Sequence, residues 1–87
     1  MAPRVVMYAT RYCGYCERAR RLLRVRGIPF EEIDVTRDHA LRRQMANETG
    51  HPTVPIIMLD GTLIGGSDEL VEMDAAGELD ELVPRAS

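Results

Sequence analysis

Lysine and tryptophan are absent from the 87-residue chain, phenylalanine occurs once, histidine twice and cysteine twice. Each shortage excludes something. Two histidines twelve positions apart, His39 and His51, form no second ligand pair beside the cysteines, so a four-ligand zinc site lacks its other half. Three Tyr, one Phe and a sequence pI near 5.3 argue against a nucleic-acid-binding surface. No apolar run approaches 18 residues, so no segment reads as a membrane-spanning helix. The opening residues 1–4 lead straight into a strand-like run with no long apolar leader, and a reducing cytoplasm is the expected setting.

What is present describes one ordinary globular domain over residues 1–87, with 45% apolar and 29% charged residues. The net charge of −3 hides an asymmetry. Residues 1–44 carry ten Arg against five acids, and residues 45–87 carry one Arg against nine acids. Solvated helix faces account for most of this, although basic charge near the cysteines would also attract an anionic thiol substrate.

The two cysteines define the stretch Thr10-Arg11-Tyr12-Cys13-Gly14-Tyr15-Cys16, where the apolar run of residues 5–9 hands over to a helical pattern. That handover puts Cys13 at a helix N-terminus and Cys16 one turn further in. Unpaired N–H groups and the positive end of the helix dipole favour a thiolate there. A C-x-x-C pair is compatible with a redox couple, half a zinc site or a structural disulfide. The missing second ligand pair and the small entropy gained by closing so short a loop favour the redox couple.

Along the chain, residues 4–9 read as a buried strand. Residues 14–26 read as a helix with Cys16, Ala19, Leu22 and Leu23 inward and a Glu17–Arg21 pair outward, stopped by Gly27. Residues 29–35 form an acidic edge strand. A second helix over residues 39–49 is capped by Thr36 or Asp38, buries Leu41 and Met45, and ends at Gly50. Residues 56–59 and 62–64 form a hairpin around Asp60-Gly61. A last helix capped by Ser67 or Asp68 packs Leu70, Val71 and Met73 inward, and the segment holding Leu79, Leu82 and Val83 is expected to fray. The order β-α-β-α-β-β-α predicts an α/β domain with a four-stranded mixed sheet, the first two strands parallel and the last two antiparallel.

With these elements in place the whole chain resembles a glutaredoxin of the small bacterial dithiol type. Four features carry the resemblance, in the right order: Cys13-Gly14-Tyr15-Cys16, Thr53-Val54-Pro55, Asp60-Gly61 and Gly65-Gly66-Ser67-Asp68. The resemblance implies a thioredoxin-like fold and a glutathione-dependent thiol–disulfide oxidoreductase acting on glutathionylated or disulfide-containing proteins. It implies Cys13 as nucleophile and Cys16 as resolving thiol. It also implies a cis bond at Pro55, with the Val54 backbone pairing with the cysteinyl part of glutathione and with Thr53, Pro55 and Arg11 among the glutathione-binding residues. Gly66, Ser67 and Asp68 would hold the γ-glutamyl end, Tyr15 would lie beside the tripeptide, and Arg42 would meet the glycyl carboxylate. His39 and His51 are expected to be ordinary surface or capping residues.

Two positions depart from the family pattern. Thr10 replaces the usual Lys, which leaves Arg11 as the nearby charge, and Gly14 replaces the usual Pro, which loosens the entry to the helix. A monomer is expected. The competing reading is a [2Fe–2S] cluster bridging two chains through Cys13 and glutathione, and a redox-inert interaction domain is disfavoured because both thiols are intact.

Overall fold

The computed structural model describes residues 3–84. The first two residues, part of the start read above as leaderless, and the last three residues of the domain expected over 1–87 lie outside that range. The elements are β1 (Val5–Ala9), α1 (Gly14–Val25), β2 (Phe30–Asp34), α2 (His39–Thr49), β3 (Ile56–Leu59), β4 (Thr62–Gly65) and α3 (Ser67–Ala75), followed by a 3-10 turn at Asp80–Leu82. Each expected element is present, with ends shifted by a residue or two.

The sheet order is β2-β1-β3-β4. β1 runs parallel to β2, with Val5 opposite Phe30 and Ala9 opposite Asp34, and β3 is antiparallel to both β1 and β4. This is the mixed four-stranded sheet of a thioredoxin-like fold. Period-two alternation sends Val5, Met7 and Ala9 of β1 to one face. There they pack with Cys16, Ala19 and Leu23 of α1, Ile57 of β3 and Leu70 of α3 in one buried cluster. Ile56, Val35 and Met45, the one buried residue of α2, are buried outside that cluster.

Local chemistry explains most boundaries. Asp38 caps α2, its carboxylate accepting from the Leu41 N–H at 3.1 Å, and Gly50 closes the helix at φ 73°. Thr36 is not the cap, because its hydroxyl is already bonded to the Asp34 carboxylate and to the Arg11 N–H. The turn residues Asp60 and Gly61 both have positive φ, as a two-residue hairpin of type I′ requires.

Several side chains differ from the sequence reading. Glu17 pairs with Arg20 rather than Arg21, because Arg20 is largely buried and holds both Glu17 of α1 and Glu32 of β2. Leu41 is only half-buried, and so is Val71, which faces the cleft between α1 and α3. The last helix is capped at Gly66, not at Ser67 or Asp68. The expected frayed tail instead inserts Leu79 and Leu82 into the main core cluster, because its 3-10 turn brings both side chains to the same side.

Candidate active site

Three segments converge around Cys13: the start of α1, the loop ahead of β3 and the start of α3. Cys13 is the N-cap residue of α1, with extended backbone (φ −114°, ψ 115°), and its sulfur accepts the Cys16 N–H at 3.3 Å. The same sulfur lies 3.8 Å from the Val54 carbonyl oxygen. Cys13 is half-buried, whereas Cys16 is fully buried in the core beneath α1.

These surroundings split the two thiols. Burial works against a charged Cys13. Its hydrogen bond with Cys16, the amides of Cys16 and Tyr15 and the positive charge of Arg42 outweigh that burial and hold its pKa below the ordinary thiol value. For Cys16, burial comes first and the neighbouring Cys13 adds to it, pushing the thiol up to about 12 despite opposing help from a Thr10 backbone hydrogen bond and the charge of Arg20. One accessible nucleophile therefore sits over one buried, protonated partner.

The Val54–Pro55 peptide bond is cis. Beside it runs a groove of about 250 Å³, with Tyr15 on one wall, Thr53, Val54 and Pro55 on a second, and Gly66, Ser67 and Asp68 at the far end. Seven of the residues singled out in the sequence thus share one depression. Asp68 is exposed and pairs with Arg18 of α1 at 3.1 Å.

Gly65 is required for the shape of that end. Its φ is +131°, and a Cβ there would stand 2.6 Å from Glu69 Oε1. The glycine lets Glu69 fold back and accept the Gly66 N–H at 3.0 Å, one half of a capping box.

Arg11 is placed differently from the expectation. Its guanidinium donates to the Asp34 carboxylate at 3.0 Å, beside Thr36 at the end of β2, and it does not line the groove. Arg42, half-buried on α2, bears on Cys13 through its charge. Two groove residues escaped the sequence reading, His51 and Glu69. The spacing of Glu69, three residues after Gly66, was a legible signal. His51 carried none beyond standing two residues before Thr53. Among the described residues no group of three or more His, Cys, Asp or Glu could hold a metal ion, and no helix is long and apolar enough to cross a membrane.

The glutaredoxin family model matches residues 5–64, which span β1, both redox positions and the β3–β4 hairpin. The chain belongs to the glutaredoxin family. It is 42% identical over 81 residues to a glutaredoxin of Pseudomonas aeruginosa, covering 93% of this chain and 96% of that one. It is 40% identical over 79 residues to glutaredoxin 3 of Escherichia coli, covering 91% and 95%. Among solved structures, a buckwheat glutaredoxin–glutathione complex superposes with a TM-score of 0.86 at 28% identity, covering 93% of this chain and 76% of that one. The holo form of glutaredoxin C1 from Populus tremula x tremuloides gives 0.85 at 36% identity, covering 93% and 82%. Family and fold together make this protein a thiol–disulfide oxidoreductase.

Proposed function

We propose that this glutaredoxin is glutathione-dependent and reduces mixed disulfides between glutathione and other thiols. The observation that carries the reading is the groove, which begins beside the Cys13 sulfur and ends at Gly66–Ser67–Asp68. An extended tripeptide lies along it with its cysteinyl amide and carbonyl paired to the Val54 backbone. The amides at the start of α3 take the γ-glutamyl carboxylate, Asp68 takes the ammonium, and Arg42 is the cation for the glycyl end. Support from relatives is the buckwheat structure, whose complex contains glutathione.

In the reaction, the Cys13 thiolate attacks the glutathione sulfur of the mixed disulfide. The sulfur–sulfur bond breaks, and the substrate leaves as a thiolate that takes a proton from water. Cys13 now carries glutathione. A second glutathione thiolate attacks the glutathione sulfur held on Cys13, which releases glutathione disulfide and restores the Cys13 thiolate. On a protein disulfide, Cys13 forms the mixed disulfide with the protein and Cys16 closes on Cys13. The substrate then leaves reduced, and two glutathiones reopen the pair. Once Cys13 is bound, its negative charge and its hydrogen bond no longer hold up the Cys16 pKa, so the resolving thiol becomes more acidic when it is needed. Cytoplasmic placement belongs to this proposal, because a reduced glutathione pool is found there.

A [2Fe–2S] cluster takes four thiolates. One chain offers a single accessible one, Cys13, since Cys16 is buried at 0% exposure. Any cluster would have to draw its other ligands from a second chain and from glutathione.

The test is coupled turnover of a glutathione mixed disulfide with glutathione reductase. Cys13→Ser abolishes turnover, and Cys16→Ser retains most of it while losing reduction of protein disulfides. Equal loss from both changes on the simple mixed disulfide contradicts the scheme.

A further inference from the structure

His51 has no part in the mechanism above, yet it lines the same groove. It follows Gly50, the residue that closes α2, and its backbone N–H donates to the Thr49 hydroxyl at 3.2 Å. That bond fixes the main chain and leaves the ring free to reach forward. The imidazole lies against Gly66: a Cβ built on that glycine would stand 3.1 Å from His51 Nε2 and 3.4 Å from Cε1, with the Pro55 carbonyl oxygen 3.6 Å away. The ring is half-buried and makes no hydrogen bond to another described residue. A polar ring nitrogen is therefore held at the α3 end of the groove with its bonding capacity unspent. Of the acids nearby, Glu69 is engaged with the Gly66 N–H and Asp68 with Arg18, so neither is committed to the imidazole.

We propose that His51 is a specificity-determining residue of the groove, donating a hydrogen bond from its ring to the γ-glutamyl carboxylate of glutathione. The inference rests on the glutathione reading above and deepens it. The ring supplies to that carboxylate a side-chain donor in addition to the amides of Ser67 and Asp68. It also explains why position 66 is glycine although its backbone is ordinary (φ −101°). A Cβ there requires the ring to give way by a few tenths of an ångström.

The experiment compares two probes, the mixed disulfide of glutathione and the same disulfide built on 4-aminobutanoyl-cysteinyl-glycine, which lacks only the γ-glutamyl carboxylate. The wild type favours the glutathione probe. His51→Ala raises KM for that probe about fivefold, the order expected for one charge-assisted hydrogen bond in a wet groove, and leaves kcat and the KM of the truncated probe within twofold. His51→Gln, which keeps a donor of similar reach, recovers most of the preference. Gly66→Ala raises KM in the wild type and has a smaller effect in the His51→Ala background, where the ring is no longer there to displace. Equal KM changes on both probes, or no rescue by Gln, overturn the role of His51 while leaving glutathione dependence intact. Absence of turnover of either probe by the wild type overturns both readings.

Discussion

Cys13 and Cys16 sit one helical turn apart in the same motif, and their different acidities come from depth and from the direction of nearby dipoles. The Cys13 sulfur faces the amides of the first helical turn and the charge of Arg42, whereas Cys16 points into the apolar cluster. Iodoacetamide at neutral pH is therefore expected to label Cys13 alone in the reduced protein. The labelling rate should titrate below the ordinary thiol value near 8.5. Arg42→Ala should move that midpoint upward without exposing Cys16; an unchanged midpoint means that Arg42 does not act on the thiolate. The same difference has a consequence for stability. Cys13 is lowered in the folded state, so its thiolate contributes stability present above the unfolded value and lost as pH falls through the folded one. Cys16 acts in the opposite sense, its contribution being lost as pH rises toward about 12. Urea midpoints of the wild type measured against Cys13→Ser should therefore show the wild-type advantage growing from acid pH to about the ordinary thiol value near 8.5. Asp34 behaves likewise at lower pH. Its hydrogen bonds from Thr36 and the Arg11 guanidinium hold it near 2, so this stabilisation is lost as pH falls from about 4.

At the scale of elements, α1 carries the nucleophile and its first turn is under-determined. Gly14 occupies the first helical position with no heavy atom near a built Cβ. The Cys13 sulfur draws on the amides of Tyr15 and Cys16, not that of Gly14. The preceding backbone is already in the extended region that a following proline demands. Gly14→Pro should therefore raise stability by about 0.5–1 kcal/mol, mainly by restricting the unfolded chain. A thermal melt checks this: an unchanged or lower midpoint means that the Gly14 amide has a use the geometry does not reveal. The middle of α1 is pinned by side chains. Arg20 is 12% exposed and joins Glu17 of its own helix to Glu32 of the edge strand β2, a tie that fixes the helix against the parallel pair.

For the whole molecule, the division of charge along the chain becomes a cross-linking pattern in space. Arg4 pairs with Asp60, Arg18 with Asp68 and Arg26 with Asp74, so three arginines of the basic half meet three acids of the acidic half. Two of these pairs tie α1 to α3, the helices that flank the groove. Such exposed pairs are individually weak and screened by salt. The arrangement predicts a direction. Arg26→Glu should lower the melting temperature at low ionic strength, and Arg26→Glu with Asp74→Arg should recover much of the loss. High salt should shrink both effects. Failure of the double reversal to recover anything would show that packing of the Arg26 stem, rather than its charge, holds the two helices.

Periodicity, turn residues and the right-handed crossover rule by themselves determined the elements, their order, the parallel β1–β2 pair and the antiparallel β3–β4 pair, but not the β1–β3 pairing that joins them into one sheet. The reason is that helix and strand periods and Asp-Gly or Gly stops act over a few neighbours. The redox pair was legible too, because C-x-x-C at a strand-to-helix junction carries its own electrostatics. Tertiary structure decided what depends on distance through space. It turned Arg11 toward Asp34 and away from the groove, gave Glu17 to Arg20, and drew Leu79 and Leu82 into the core. It also brought His51 to Gly66, fifteen positions along the chain. A long side chain with several partners in reach chooses among them by three-dimensional placement, and no local pattern encodes that choice.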